Sequence, residues 1–229
     1  LFLSKYYRLN LKIIPNIRNR ILKLIMAYKS LQDCIDDLDK SGQLIRIKEE
    51  VDPYLEMAAI HLRIFEAKGK AVLFEKVKGS KYQAVSNLFG TTERSEFIFR
   101  DSLENVKKMI ALKSDPMQAL KKPFQNISVA FAAFKALPKK VTSHHFEKIK
   151  ISDVPQIQCW EKDGGAFVTL PIVYSEDADK PGVMHSNLGM YRIQLSGNEY
   201  VKDKEIGLHY QLHRGIGVHQ TKWNNLGKP

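Results

Sequence analysis

The sequence predicts an α+β protein, and three observations carry that assignment. Apolar residues recur at helical spacing at Leu31, Cys34, Ile35 and Leu38, and again at Leu103, Val106, Met109 and Ile110. Short β-branched runs bounded by Gly, Pro and Asp lie between these helices. From Val141 onward strand-like runs replace the helical pattern, which places a domain boundary near residue 140. A chain of 229 residues with 44% hydrophobic and 27% charged residues has the composition of an ordinary globular protein.

Residues 1–25 contain Lys5, Arg8, Lys12, Arg18, Arg20 and Lys23 and no acid, and their character changes abruptly at Met26. We read them as a basic extension, translated upstream of a start at Met26. The rival reading is a basic amphipathic helix on anionic lipid, which Pro15 would interrupt. Residues 26–140 form the expected N-terminal α/β domain. Ser30 caps a helix that Gly42 ends, and Leu44–Ile47 reads as a short strand before Asp52-Pro53. A helix over 54–67 is closed by Gly69. Ala71–Phe74 reads as a buried strand, with Tyr82–Val85 as its hairpin partner across Gly79-Ser80. Residues 102–138 read as helical, interrupted at Pro116 and ended by Pro138. In the expected second domain, 141–229, Ile149–Ile151 and Gly165–Tyr174 read as strands, ahead of the stretch Met184–Gly217.

The net charge is +11, of which residues 1–25 supply +6. The remaining +5 is too mild to indicate nucleic acid. Lys135, Lys139, Lys140, Lys148 and Lys150 read as a solvated face. Cys34 and Cys159 form no CxxC, so neither a disulfide framework nor a thiolate metal site is indicated, and a reducing, cytoplasmic setting fits. No apolar run has the length of a membrane span. Glycine-rich phosphate loops of the GxGxxG or GxxxxGK type are absent.

Met184–Gly217 carries more polar donors than two strands need, so chemistry is expected there. If Leu188–Leu195 and Ile206–Leu212 form an antiparallel hairpin centred near Tyr200, Asn187 faces His213. Opposed Cβ atoms lie about 4.5–5.5 Å apart, close enough for an amide oxygen and an imidazole nitrogen to share a cation. Such a pair suits Mn²⁺ or Mg²⁺ and implies a phosphorylated cofactor. The plain alternative is a turn Asn and a structural His. Arg192, five residues from Asn187, joins the same site only if the strand bulges or ends early. A zinc site from His209, His213 and His219 is disfavoured, because no Glu lies between His209 and His213. His144-His145 reads as surface.

Asn187-Leu188-Gly189-Met190-Tyr191-Arg192, followed by Leu208-His209-Tyr210-Gln211-Leu212-His213-Arg214-Gly215, resembles the N-x-G-x-Y-R and H-R-G signature of the UbiD family of decarboxylases. Gly42-Gln43-Leu44 with Val51-Asp52-Pro53, Ser86 through Thr91, and Pro155 through Trp160 with Asp163 support it, in the family's order. The resemblance implies an N-terminal α/β domain and a split β-barrel of flavin-reductase type that binds prenylated FMN. It implies Mn²⁺ on Asn187 and His213, with a monovalent cation as a further candidate. Met190, Tyr191, Arg192, His209, Tyr210, Gln211, Arg214 and Gly215 would line the cofactor, and Arg192 would hold the substrate carboxylate as the catalytic residue. The implied reaction is non-oxidative decarboxylation of an aromatic or α,β-unsaturated acid, with 4-hydroxy-3-polyprenylbenzoate of quinone biosynthesis as one candidate. The implied partners are an aromatic carboxylic acid, a flavin prenyltransferase as cofactor supplier and further copies of the chain in a homo-oligomer, with no nucleic acid. A polyprenylated substrate would bring the cytoplasmic protein to the membrane periphery.

The resemblance also implies an acidic third metal ligand and a proton-donor Glu, and no acid between Ser175 and Pro229 matches either. Glu176, Asp177 and Asp179 read as loop, and Glu199, Asp203 and Glu205 as the hairpin loop. The chain is therefore expected to be an N-terminal fragment, inactive alone. A non-catalytic flavin-binding or scaffold module is the alternative from another functional class.

Overall fold

A computed structural model of the chain describes residues 28, 30–114 and 147–227. The expectations for residues 1–25, for the helical pattern beyond 114, for Lys135, Lys139 and Lys140 and for His144-His145 lie outside them. The chain divides into two units, Leu1–Asp37 with Thr92–Leu137 and Leu38–Thr91 with Pro138–Pro229.

In the first unit, α1 begins and two further helices follow. Helix α1, Leu31–Lys40, starts where Ser30 Oγ accepts the Asp33 N–H at 3.2 Å. It ends where Gly42, at φ 70°, lets the Gln43 N–H reach back to the Leu38 carbonyl at 2.7 Å. Cys34, Ile35 and Leu38 are buried as the spacing requires, whereas Leu31 is exposed. Asp37 accepts hydrogen bonds from Tyr28 Oη at 2.6 Å and Arg100 Nη2 at 2.7 Å. Burial, reinforced by Asp37, pushes the Tyr28 hydroxyl up to about 12. Helices α3, Thr92–Phe99, and α4, Leu103–Ser114, complete the unit among the described residues. The apolar spacing in α4 is helical as expected, but the helix buries no residue, and Val106 and Ile110 are exposed.

The second unit opens with a βαβ crossover. Strands β1, Leu44–Val51, and β2, Ala71–Val77, pair in parallel, with α2, Glu56–Glu66, between them in sequence. Strand β3, Ala84–Ser86, returns antiparallel on the other side of β2, so the expected hairpin across Gly79-Ser80 is present. Ala71, Val72, Leu73 and Phe74 are at most 2% exposed, as a central strand covered on both faces demands. Val51, Met57, Val72, Phe74 and Val77 form the core, and Ile47, Ile60, Ile64, Ala84 and Ile157 pack around it.

The rest of the unit consists of short strands in small open sheets. Strand β4, Phe167–Val168, pairs with β7, Ile193–Gln194, which pairs in turn with β8, Gly207–Leu208. Strand β5, Ile172–Glu176, pairs with β6, Ser186–Met190. Helix α5, Gly215–Asn225, follows. Three expectations are corrected. Ile149–Ile151 is not a strand, and a 3-10 turn occupies Ile151–Asp153. The run Gly165–Tyr174 is split between two sheets at Pro171, which has no N–H to give a ladder. Glu176 lies in β5 rather than in a loop. No closed barrel is formed among the described residues, and no helix among them is long and apolar enough to cross a membrane.

Within this unit, backbone bonds fasten the later residues to the βαβ part. The Leu55 N–H donates to the Gln158 carbonyl at 3.0 Å, and the Gln158 N–H donates to the Pro53 carbonyl at 3.1 Å. Ser80 Oγ donates to the Asp153 carbonyl at 2.6 Å.

Candidate functional site

The hairpin expected between Leu188–Leu195 and Ile206–Leu212 exists only over its inner part. Ile193 faces Leu208 and Gln194 faces Gly207, and the His209 N–H to the Arg192 carbonyl, at 3.0 Å, extends the ladder. Before that point the strand breaks at Tyr191-Arg192 and the chain joins the other sheet, where Asn187 pairs with Ser175. The pairing of Asn187 with His213 across a hairpin is thereby corrected. The early strand end that Arg192 needed is present.

Alternation continued from β7 places Arg192, just before it, on the side of Gln194, with Phe167 of β4 and His209, just after β8, beside them. The Arg192 guanidinium carbon lies 3.5 Å from the centre of the Phe167 ring. One of its nitrogens, Nη2, is 3.4 Å from each Asp163 carboxylate oxygen. That is longer than the 2.7–2.9 Å of a tight charge-assisted pair, so Asp163 orients the guanidinium without closing on it. Neither Nη1 nor Nε has a hydrogen-bond partner among the described residues. His209 meets the Phe167 ring edge-on, with centroids 5.6 Å apart. Cys159 adjoins this group. Burial first, and Asp163 second, push its thiol up, against the opposing pull of Arg192, so it stays protonated at neutral pH and is no nucleophile.

Beneath these residues Gln194 is 1% exposed. Its amide nitrogen donates to the carbonyls of Gly164 and Ser196, both at 3.0 Å. Its oxygen faces Asn198 Nδ2 at 3.1 Å and His209 Nε2 at 3.0 Å. Asp163, Phe167 and Gln194 carried no assigned role in the sequence reading. Position parity alone would have found Gln194, two residues beyond Arg192 in a strand.

A second group forms where β6 meets α5. The Asn187 amide nitrogen donates to the Tyr191 hydroxyl at 3.0 Å, and the Ile216 N–H donates to the same oxygen at 3.3 Å. Arg214, at the helix N-cap, makes no side-chain cap, so Tyr191 takes one of the orphan N–H groups of the first turn. Two glycines make this possible. A Cβ on Gly189 would strike the Tyr191 ring, and one on Gly215 would strike the Asn187 carboxamide. The N-x-G-x-Y spacing thus has a local cause, since the tyrosine folds back over the glycine to reach the asparagine.

Helix α5 is pinned to the sheet by further bonds. Ser175 Oγ and His219 Nδ1 are 3.0 Å apart, and Trp223 Nε1 donates to the Glu176 carbonyl at 3.3 Å. Asp177 and Asp179 lie in a loop as expected, and from there they anchor the helix, since Lys222 contacts Asp177 at 2.6 Å and Asp179 at 3.1 Å. The Lys222 ammonium, with backbone N–H groups behind it, holds the Asp177 carboxyl down at about 2.

The remaining candidates are more open. Met190 is exposed on β6. Tyr210, Gln211, His213 and Arg214 are exposed ahead of α5, where Arg214 Nε donates to Gln211 Oε1 at 3.3 Å. His213 has no hydrogen-bond partner among the described residues. It lies two residues from Gly215, against which the Asn187 amide rests. No group of three His, Cys, Asp or Glu side chains able to hold a metal occurs among the described residues. Asn187 and His213 therefore offer two donors of the right hardness and not a full coordination shell.

Two family profiles match the chain. Residues 35–113 match the 3-octaprenyl-4-hydroxybenzoate carboxy-lyase N-terminal domain, and residues 133–229 match the carboxy-lyase Rift-related domain, both of the UbiD family. A Chlamydia pneumoniae protein, named as one of the subunits of a 4-hydroxybenzoate decarboxylase, is 34% identical over 186 residues, covering 77% of this chain and 30% of that protein. The vanillic acid decarboxylase of Sedimentibacter hydroxybenzoicus, in closed form, superposes with a TM-score of 0.67 at 25% identity, over 89% of this chain and 42% of that one. An evolved dimeric form of the UbiD-class enzyme HmfF from Pelotomaculum thermopropionicum, in complex with prFMN, shares the fold at a TM-score of 0.61 and 23% identity, over 88% and 43% of the two chains. The chain spans about a third to two fifths of the length of the curated relatives it matches. With profiles covering most of its residues, the chain belongs to the UbiD family.

Proposed function

We propose that this chain supplies the substrate-carboxylate anchor and part of the cofactor cradle of a prenylated-FMN-dependent carboxy-lyase acting on an aromatic acid of the hydroxybenzoate class. The observation that carries the reading is Arg192. Its guanidinium carbon sits 3.5 Å over Phe167 and Asp163 steadies Nη2, which leaves N–H groups on Nη1 and Nε to donate to a carboxylate. Family membership and the hydroxybenzoate and vanillic acid names of the relatives support the reaction class. We take the domains as 26–140 and 141–229, and the β4–β8 region as belonging to a split barrel of flavin-reductase type.

Loss of CO₂ from an aromatic acid leaves an electron pair in the ring plane, where it cannot delocalise. The bound flavin supplies the electron sink for that pair. The chain's own residues orient and bind. Arg192 fixes the carboxylate, while Met190, Tyr191, His209, Tyr210, Gln211, Arg214 and Gly215 line the flavin. Asn187 and His213 contribute two ligands to a Mn²⁺ at its phosphate. The amide of Asn187 suits that role, because its nitrogen is engaged by Tyr191 and its oxygen is left as the acceptor.

The test is Arg192→Ala in the whole protein loaded with prenylated FMN, with 4-hydroxybenzoate as substrate. Release of CO₂ should be abolished while the flavin stays bound, and retained turnover would remove Arg192 from the carboxylate. His213→Ala should weaken Mn²⁺-dependent cofactor loading, and unchanged loading would remove His213 from the metal.

A further inference from the structure

We propose that Gln194 is a positioning residue that holds His209 as its Nε2–H tautomer, leaving Nδ1 as a lone-pair acceptor for an N–H on the rim of a flavin. The flavin half of this inference rests on the functional reading above. The tautomer half rests on the chain alone.

A glutamine side chain has two donor hydrogens and one acceptor oxygen, and here the backbone decides which end is which. The carbonyls of Gly164 and Ser196 can only accept, and both face the same amide nitrogen at 3.0 Å. Both hydrogens are therefore spent, and the other end of the amide is the oxygen whatever the appearance of the side chain. That oxygen meets Asn198 Nδ2 at 3.1 Å and His209 Nε2 at 3.0 Å. An unprotonated Nε2 would set its lone pair against that of the Gln194 oxygen, on a glutamine that is only 1% exposed although His209 itself is exposed at its other edge. Nε2 must carry the proton, and in the neutral ring Nδ1 then carries the lone pair. Nδ1 has no partner among the described residues. The ring packs edge-on against Phe167, and the backbone that carries it is tied to the Arg192 carbonyl. Gln194 thus links the hydrogen-bonding state of His209 to the same Phe167 that carries Arg192.

The experiment is a long-range ¹H–¹⁵N correlation spectrum of the ¹⁵N-labelled chain at a pH where its imidazoles are neutral, with His209→Asn identifying the His209 signals. The wild type should show a solvent-protected proton on Nε2 and a pyridine-like Nδ1. Gln194→Leu should lose that protected proton and admit the Nδ1–H form. Gln194→Glu keeps an acceptor for Nε2–H while losing both donors to Gly164 and Ser196, so rescue of the Nε2–H signature by Glu separates positioning from scaffolding. Should Gln194→Leu fail to fold, Asn198→Ala decides, since His209 then becomes the sole donor to the Gln194 oxygen and its tautomer should persist. A wild-type proton on Nδ1, tautomers mixed as in free histidine, or a spectrum indifferent to Gln194→Leu overturns the proposal. Titration with FMN separates the flavin half. A shift at Nδ1 supports the acceptor role, bound FMN with Nδ1 unmoved overturns that role alone, and no FMN binding overturns the flavin reading while the tautomer stands or falls on the unliganded spectrum.

Discussion

Strands β2 and β7 are each the central strand of a three-stranded sheet, and they are buried by opposite means. β2 places Ala71, Val72, Leu73 and Phe74 in a dry core. β7 is two residues long and buries Gln194, every polar atom of which is matched by a carbonyl, an amide or an imidazole. A dry core is held by the area it removes from water and tolerates small shifts of its neighbours. A buried amide holds only while its partners stay in place, and those partners include His209, whose backbone N–H is bonded to Arg192.

The comparison can be broken by chemical denaturation. Phe74→Ala should cost about 3–5 kcal/mol, the range for emptying a fully buried aromatic site. Gln194→Leu should cost about 1–3 kcal/mol, because the Gly164 and Ser196 carbonyls lose their donors. A larger loss at Gln194 than at Phe74 would mean that the polar network, not the βαβ core, governs folding. Gly215→Ala should cost about 1–3 kcal/mol by overpacking against Asn187, and should free the Tyr191 hydroxyl, visible as altered tyrosine fluorescence or exchange.

Acid probes the α5 anchor, which depends on a depressed carboxyl. Asp177 is held at about 2 against an ordinary 3.8, so its pairing with Lys222 is fully present above about pH 4 and is lost as the pH falls towards 2. In an acid titration of stability, Asp177→Asn should flatten that stretch, and an unchanged profile would mean the pair contributes nothing. The smallest effect is expected at Arg46, half-exposed between Asp39 and Glu75 on β1. Arg46→Ala should lower stability only slightly, and less at high salt.

Much of the first part was legible in the sequence because its signals are local. Ser30 and Gly42 bracket a helix by their own hydrogen bonds and backbone angle, and an unbroken apolar run such as 71–74 fits only a covered strand. The parallel pairing of β1 with β2 was not legible as such, although a helix between two strands permits it. In the second part the identities of Asn187, Arg192 and His209 were legible, but the partner of Asn187 was not. Pairing β6 with β5 rather than with the strand after the loop depends on a break at Tyr191-Arg192 and on Pro171, and neither announces which neighbour wins. Gln194 was passed over because a glutamine in a strand is usually solvated, and only burial turns it into a hub.

The sequence by itself determined the family, the α+β class and the helix and strand periods, because these follow from residue chemistry and short-range spacing. Only the tertiary structure decided that Phe167 carries both Arg192 and His209, that Tyr191 caps α5 while holding Asn187, and that Gln194 fixes a tautomer. Each of those depends on which strands become neighbours, and strand neighbours are chosen by the whole fold rather than by any one stretch of chain.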